Sequence, residues 1–183
     1  MTLTAIFILA APTGATTARA AGTHEGGDNG PTDIGRSGTA NDVSRTIEVR
    51  LQDNFFDPED INVQSGETIR FVLINDGTFV HEFNIGTPEM HAAHQVEMAM
   101  MVEHGVLEFD KINRQMMEMD MGNGQMMKHN DPNSMLLEPG DTAEIIWTFS
   151  GAIVLEFACN IPGHYDSGMA GLFNFDKEVA DNN

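Results

Sequence analysis

The only cysteine of the chain, Cys159, is followed at five-residue steps by His164 and Met169 in the stretch Cys159-Asn160-Ile161-Pro162-Gly163-His164-Tyr165-Asp166-Ser167-Gly168-Met169. A thiolate, an imidazole and a thioether in so short a loop suit copper, because soft sulfur ligands favour Cu(I) and imidazole is a common copper ligand. A mononuclear blue-copper centre takes two histidines and one cysteine in a near-trigonal plane, with methionine as a weak axial ligand. The loop holds three of those four groups, so any fold this chain adopts has to bring one more histidine to it. His81 is the natural lender, set inside the apolar strand-like run Val80-His81-Glu82-Phe83-Asn84-Ile85. A lone free cysteine is more often a small buried hydrophobe. With His164, Met169 and the Pro162-Gly163 turn beside it, the metal reading is preferred.

Outside residues 87–134, the chain between Arg45 and Phe175 reads like a β protein. Ile47, Val49 and Leu51 fall on one face of a half-buried strand, Ile61-Asn62-Val63 restarts an extended run, and Thr68 to Ile74 is β-branched and apolar. Asn75-Asp76-Gly77 and Pro139-Gly140-Asp141 are turn signals. Thr78 to Ile85, Thr142 to Phe149, Ala152 to Ala158 and Ala170 to Phe175 are further expected strands, the third feeding into Cys159. Many short strands separated by turns predict a β-sandwich or barrel.

These features resemble the cupredoxin family over residues 45–176. The resemblance rests on Cys159-x4-His164-x4-Met169 with His81 upstream, and on Phe56-Asp57-Pro58, Gly66-Glu67-Thr68-Ile69-Arg70-Phe71, Asn75 and Gly171-Leu172-Phe173. The four-residue gaps are similar to the longer ligand loop of the rusticyanin and auracyanin branch. The resemblance implies an all-β Greek-key sandwich or barrel and one type 1 copper held by His81, Cys159, His164 and Met169. It also implies that Asn75 braces the His81 loop by hydrogen bonding.

Between residues 87 and 134 the pattern changes to a Met/His-rich, partly helical insert. Thr87 reads as a helix cap with Pro88 at the first helical position. Met90, His94, Met98 and Met101 follow at helical spacing with His91 beside them, and Phe109, Ile112, Met116 and Met119 recur at steps of three and four. Of the 13 methionines, 11 lie from Met90 to Met135. A long insert in a compact β domain is usually functional or disordered. One reading is an amphipathic hairpin covering the sandwich, with methionine as adaptable filler. The preferred reading is extra copper binding, since thioethers bind Cu(I) without deprotonation and added imidazoles accept Cu(II). Its candidate ligands are Met90, His91, His94, Met98, Met101, His104, Met117, Met121, Met126 and His129, with His94–Met98 and Met90–His94 the best-spaced pairs.

At the N-terminus, Leu3 to Ala11 is apolar and Ala18-Arg19-Ala20 is a small-x-small cleavage pattern, although no Lys or Arg precedes the run. Residues 1–20 are expected to be a secretory signal, which places the protein in the periplasm without stable membrane insertion. Residues 21–43 form an expected acidic, Gly-rich linker, 44–176 the copper domain and 177–183 a polar tail. With Lys+Arg 9 against Asp+Glu 28, the formal charge of −19 disfavours nucleic acid and favours cations or basic partners. A monomer is expected.

An enzymatic reading lacks its requirements. Multicopper oxidases and copper nitrite reductases pass electrons through a histidine beside the type 1 cysteine, and here the neighbours are Ala158 and Asn160. The dinuclear centre of cytochrome oxidase needs two cysteines. A slow Cu(I) oxidation is the one activity left open. Two functions remain. The preferred one is copper tolerance, similar to cupredoxins of CopI type, in which the insert captures Cu(I) and the core holds, oxidises or delivers it to an exporter, multicopper oxidase or cytochrome. The alternative is an electron carrier between redox partners, which would more commonly show an apolar docking patch near His164.

Overall fold

Strict alternation along Arg45–Gln52 buries Val49 and Leu51 completely and leaves their neighbours at the surface, as a strand with one covered face requires. The computed structural model describes residues 34–120, 126–128, 131–151 and 153–175, with 118–120 and 126–128 described by their backbone. The expected signal segment, most of the linker and the polar tail lie outside the described residues.

In chain order the strands are β1 (Arg36–Ser37), β2 (Arg45–Gln52), β3 (Phe55–Asp57), β4 (Ile61–Val63), β5 (Thr68–Asn75) and β6 (His81–Gly86). Helix α1 (Pro88–Glu103) follows, then β7 (Glu118–Asp120), β8 (Met126–Lys128), β9 (Ser134–Leu137), β10 (Thr142–Thr148), β11 (Glu156–Ala158) and β12 (Ala170–Phe175). One sheet runs β1-β10-β5-β2-β3 and the other β4-β12-β11-β6-β9, while β7 and β8 pair as a separate antiparallel ribbon. The β2–β5 and β4–β12 pairs are parallel. The inner faces of the two sheets enclose an aromatic core of Phe56, Phe71, Phe83, Phe149, Phe157 and Phe173. The rings meet mainly at tilted or edge-to-face angles, the arrangement their quadrupoles favour. Cys159 and Met169 belong to the same core, so the ligand loop is rooted in the packing.

Strand β6 is buried at all six positions, including His81, Glu82 and Asn84. The period of two explains how. Phe83 and Ile85 point into the sandwich core, whereas Glu82, Asn84 and Gly86 point out of it, where α1 packs over the strand. The helix begins as its sequence predicts: Thr87 Oγ1 accepts a 3.3 Å bond from Met90 N, and Pro88 stands at the first turn. It ends at Glu103, where Gly105 takes a left-handed φ of +70°.

Beyond the helix the structure corrects the expected periodicity. The Phe109–Met119 spacing does not continue as helix. Leu107 bridges Ile112, a short 3-10 turn covers Arg114–Met116, and β7–β8 follow. Leu107 and Ile112 are buried while Phe109 is 71% exposed at the tip of the turn, so steps of three and four here reflect a tight reversal. The strand expected over Ala152–Ala158 is regular only from Glu156, and Thr78–Val80 is loop leading into β6.

Candidate metal centre

His81 opens β6, and Cys159 directly follows β11, which pairs with β6 through Ala158 opposite Asn84. Sheet register thus sets two residues 78 positions apart beside each other. From Cys159 the chain makes a series of tight turns, with His164 N–H donating to Ile161 O (3.0 Å) and Met169 N–H to His164 O (3.0 Å). Gly163 and Gly168 take the positive φ values of +87° and +99° that this winding needs. The loop closes where Cys159 N–H donates to Met169 O at 3.1 Å. Met169, which is fully buried, is therefore fixed to the backbone of Cys159 itself.

His164 Nδ1 lies 3.3 Å and His81 Nδ1 4.0 Å from Cys159 Sγ. All three donor atoms fall within 4.8 Å of one another, and among the described residues this is the one group of three or more His, Cys, Asp or Glu donors that converges. Imidazole and thiolate ligands stand about 2.0–2.3 Å from a first-row ion such as zinc. Three donors around one trigonal ion would then be separated by roughly 3.5–4 Å, close to the 3.3 and 4.0 Å at which the two imidazole nitrogens stand from Cys159 Sγ. The donor types, two imidazoles, one thiol and one thioether, fit copper better than a hard cation.

Neighbouring groups prepare these donors. His81 Nε2–H donates to Asp53 Oδ1 at 3.0 Å, which fixes the tautomer and leaves the Nδ1 lone pair facing Cys159. Asp53 is itself held by Thr78 N–H (2.9 Å) and Thr78 Oγ1–H (2.8 Å). A Cβ on Gly77 would collide with the Asp53 carboxylate and His81 Nε2, so glycine is required there. Asn75 braces the same loop: its Nδ2 donates to Phe79 O (2.8 Å) and Leu137 O (2.9 Å), and its Oδ1 accepts from Gly77 N (2.9 Å). Burial lowers the pKa of His81 against the raising effect of Asp53, and that of His164 with a further contribution from His81. Both rings are thus neutral and available as ligands. Burial pushes the Cys159 thiol up to about 12, opposed by hydrogen bonds from the Glu82 and Ile161 amides. A bound cation is what would make it a thiolate in the neutral range.

A second polar cluster lies behind the first. Glu82, 1% exposed, donates its N–H to Cys159 Sγ at 3.3 Å. Its carboxylate accepts from Asn160 N (3.2 Å) and Nδ2 (2.9 Å), Ser134 Oγ (2.6 Å) and His94 Nε2 (2.8 Å). Burial works against the charge on both Glu82 and His94, yet their pairing holds the carboxyl below and the imidazole above the ordinary range. Asp53, Glu82 and Asn160 were not singled out from the sequence. A carboxylate inside the apolar run Val80–Ile85 was the available signal for Glu82.

The insert's candidate ligands take several positions. His94 directs both ring nitrogens to carboxylates, Glu82 and Glu97, rather than toward Met98. Met98 and Met101 are fully buried with Val80, Val106, Leu107 and Ile112, so both face one apolar cluster and serve as packing. His91 is buried against Gly86, its ring 5.9 Å from that of Tyr165. Met90 and His104 are exposed and Met117 is half-buried. Met121, His129 and the side chain of Met126 lie outside the described residues.

Residues 43–175 match the model for copper binding proteins of the plastocyanin/azurin family. The chain is 50% identical over 144 residues to the copper-resistant cuproprotein CopI of Pseudomonas aeruginosa, covering 75% of this chain and 80% of that one. It is 35% identical over 166 residues to the protein of the same name from Rubrivivax gelatinosus, covering 86% and 87% respectively. Among solved structures, dithionite-reduced auracyanin from Roseiflexus castenholzii aligns with TM-score 0.50 and 25% identity over 74% of this chain and 99% of its own. Auracyanin B aligns with TM-score 0.54 over 78% and 96%, at 16% identity, a likeness of fold.

Proposed function

Because this chain belongs to the plastocyanin/azurin family of copper-binding proteins, and within it to the cupredoxins of CopI type, we propose that it is a periplasmic copper-tolerance protein whose type 1 copper is held by His81, Cys159, His164 and Met169. The observation that carries the ligand set is the convergence of His81 Nδ1, Cys159 Sγ and His164 Nδ1. Bound copper supplies a one-electron Cu(I)/Cu(II) couple. The chain's own residues would hold the donors in place around it: β6 and β11 anchor the first two, Asp53 and Asn75 fix the His81 loop, and the Cys159–Met169 backbone bond closes the other.

Copper tolerance follows as the role that a resistance cuproprotein of 50% identity suggests, with Cu(I) taken up, held, oxidised or passed to an exporter, multicopper oxidase or cytochrome. Export is supported by the apolar Leu3–Ala11 run and its cleavage pattern, and no described helix is long and apolar enough to cross a membrane. Capture by the insert falls to Met90, His104, Met117, Met121, Met126 and His129, since Met98 and Met101 are packed, His91 is buried and His94 is engaged. Cu(I) counted against a competing chelator tests this. Several ions per chain, fewer when Met90, Met117, Met121 and Met126 are changed together to leucine, is the expected result; one ion in both proteins removes the capture role.

One observation favours the electron-carrier reading. Phe109, 71% exposed, packs edge-on to Phe79 with centroids 4.1 Å apart, and Phe79 lies 6.3 Å from the ring of His164. An apolar surface therefore adjoins a half-exposed ligand. If electron transfer is the role, Phe109→Ser slows exchange with a redox partner while leaving the number of Cu(I) ions unchanged.

A further inference from the structure

We propose that Glu82 and His94 are positioning residues, a charged bracket through which the insert helix sets the hydrogen bonds received by Cys159 and thereby the properties of the copper centre. The inference rests on Cys159 being a copper ligand, as argued above. Glu82 touches the thiol sulfur through its backbone, and its side chain reaches the next residue of the ligand loop. Its N–H meets Cys159 Sγ at 3.3 Å, and Oε2 holds both the amide and the side chain of Asn160 at 3.2 and 2.9 Å. Its Oε1 is held from the other side by His94 Nε2 at 2.8 Å and Ser134 Oγ at 2.6 Å. One carboxylate thus joins β6, the ligand loop, β9 and α1.

A buried carboxylate needs compensation, and removing its partner leaves an uncompensated charge that is costly in the interior. His94 is fixed as its cation from two directions, because Glu97 Oε2 engages Nδ1 at 3.2 Å. The arrangement gives α1 a role distinct from metal capture. Loss of the imidazole would leave the negative charge of Glu82 unbalanced beside the ligands and loosen the N–H···S bond, and both effects favour Cu(II) over Cu(I).

The test uses the full-length protein with His94→Gln, His94→Lys to restore a cation, and Glu103→Gln as an exposed helix control. In the metal-free state, amide hydrogen exchange at Glu82 and Asn160 is expected to quicken about tenfold or more in His94→Gln, with Val49 and Leu73 amides unchanged. In the copper-loaded state, its reduction potential is expected to shift to lower values and to return toward the parent in His94→Lys. An unchanged potential with unchanged Glu82 and Asn160 exchange overturns the proposal even if the melting temperature falls, since α1 is then a lid and nothing more. Absence of thiolate-to-Cu(II) colour in the parent protein would instead overturn the ligand assignment, and the metal-free exchange measurement still decides whether the bracket holds the loop.

Discussion

Asp53 Oδ1 accepts a 3.0 Å hydrogen bond from His81 Nε2, which turns the opposite nitrogen of the same ring toward Cys159 Sγ. A carboxylate in the turn after β2 therefore decides which lone pair a histidine 28 residues later offers to a metal. Partners of this kind typically account for about 10–100-fold in metal affinity. Asp53→Ala is expected to weaken Cu(II) binding by that order, read by competition with a chelator. Asp53→Asn, which keeps an acceptor oxygen, should recover part of the loss.

Met98 is fully buried in the cluster formed by Val80, Met101, Val106, Leu107 and Ile112. Truncating such a side chain costs about 2–5 kcal/mol. Met98→Ala is expected to lower the thermal midpoint clearly, with Met98→Leu close to the parent, while the count of bound Cu(I) stays the same in both. A loss of one bound ion in Met98→Leu without loss of stability would show that the thioether, rather than its volume, matters.

How much of this was legible in the sequence depended on chemical rarity. Cys159, His164 and Met169 stand out because few arrangements put soft donors so close together, and His81 because a histidine is conspicuous inside an apolar strand. The β-sandwich or barrel class was readable from the alternation in β2, the β-branched apolar run of β5 and the turns between short strands. The Asp53–His81 contact was not, because Asp53-Asn54 reads locally as a turn and the pairing exists only once the strands have assembled. Helical spacing in α1 showed that Met98 and Met101 share a face; which surface covers that face is a tertiary fact. The Leu107–Ile112 reversal reproduces three- and four-residue spacing without being helical. Glu82 was the missed signal that sequence did contain.

The thiol's position, pushed up to about 12 by burial, sets a pH dependence for metal binding. Metal-free protein keeps the Cys159 proton through the neutral range, and ion binding releases it. Burial lowers both histidines below their ordinary values, so above roughly pH 6.5 they contribute no further protons. Apparent Cu(II) affinity is therefore expected to rise about tenfold per pH unit between roughly pH 7 and 9. A flat profile over that range in chelator competition would contradict a thiolate ligand.

His94 gives the metal-free protein a separate signature. Burial lowers its pKa, but Glu82 and Glu97 raise it to about 10, above the unfolded value of about 6.5. Its contribution to stability is fully present below about pH 6.5 and is lost as pH rises through about 10, because the native state binds the proton that the unfolded state has released. Denaturant midpoints of the metal-free protein should decline over that window, and more shallowly in His94→Gln.

The most direct test of the central claim is the visible spectrum of the Cu(II)-loaded protein beside that of Cys159→Ala. The account predicts an intense thiolate-to-copper charge-transfer band in the parent and its complete absence in the variant, with the fold retained by circular dichroism. A variant that binds Cu(II) and keeps the band would show that Cys159 is not the thiolate ligand, and would contradict the assignment of the site.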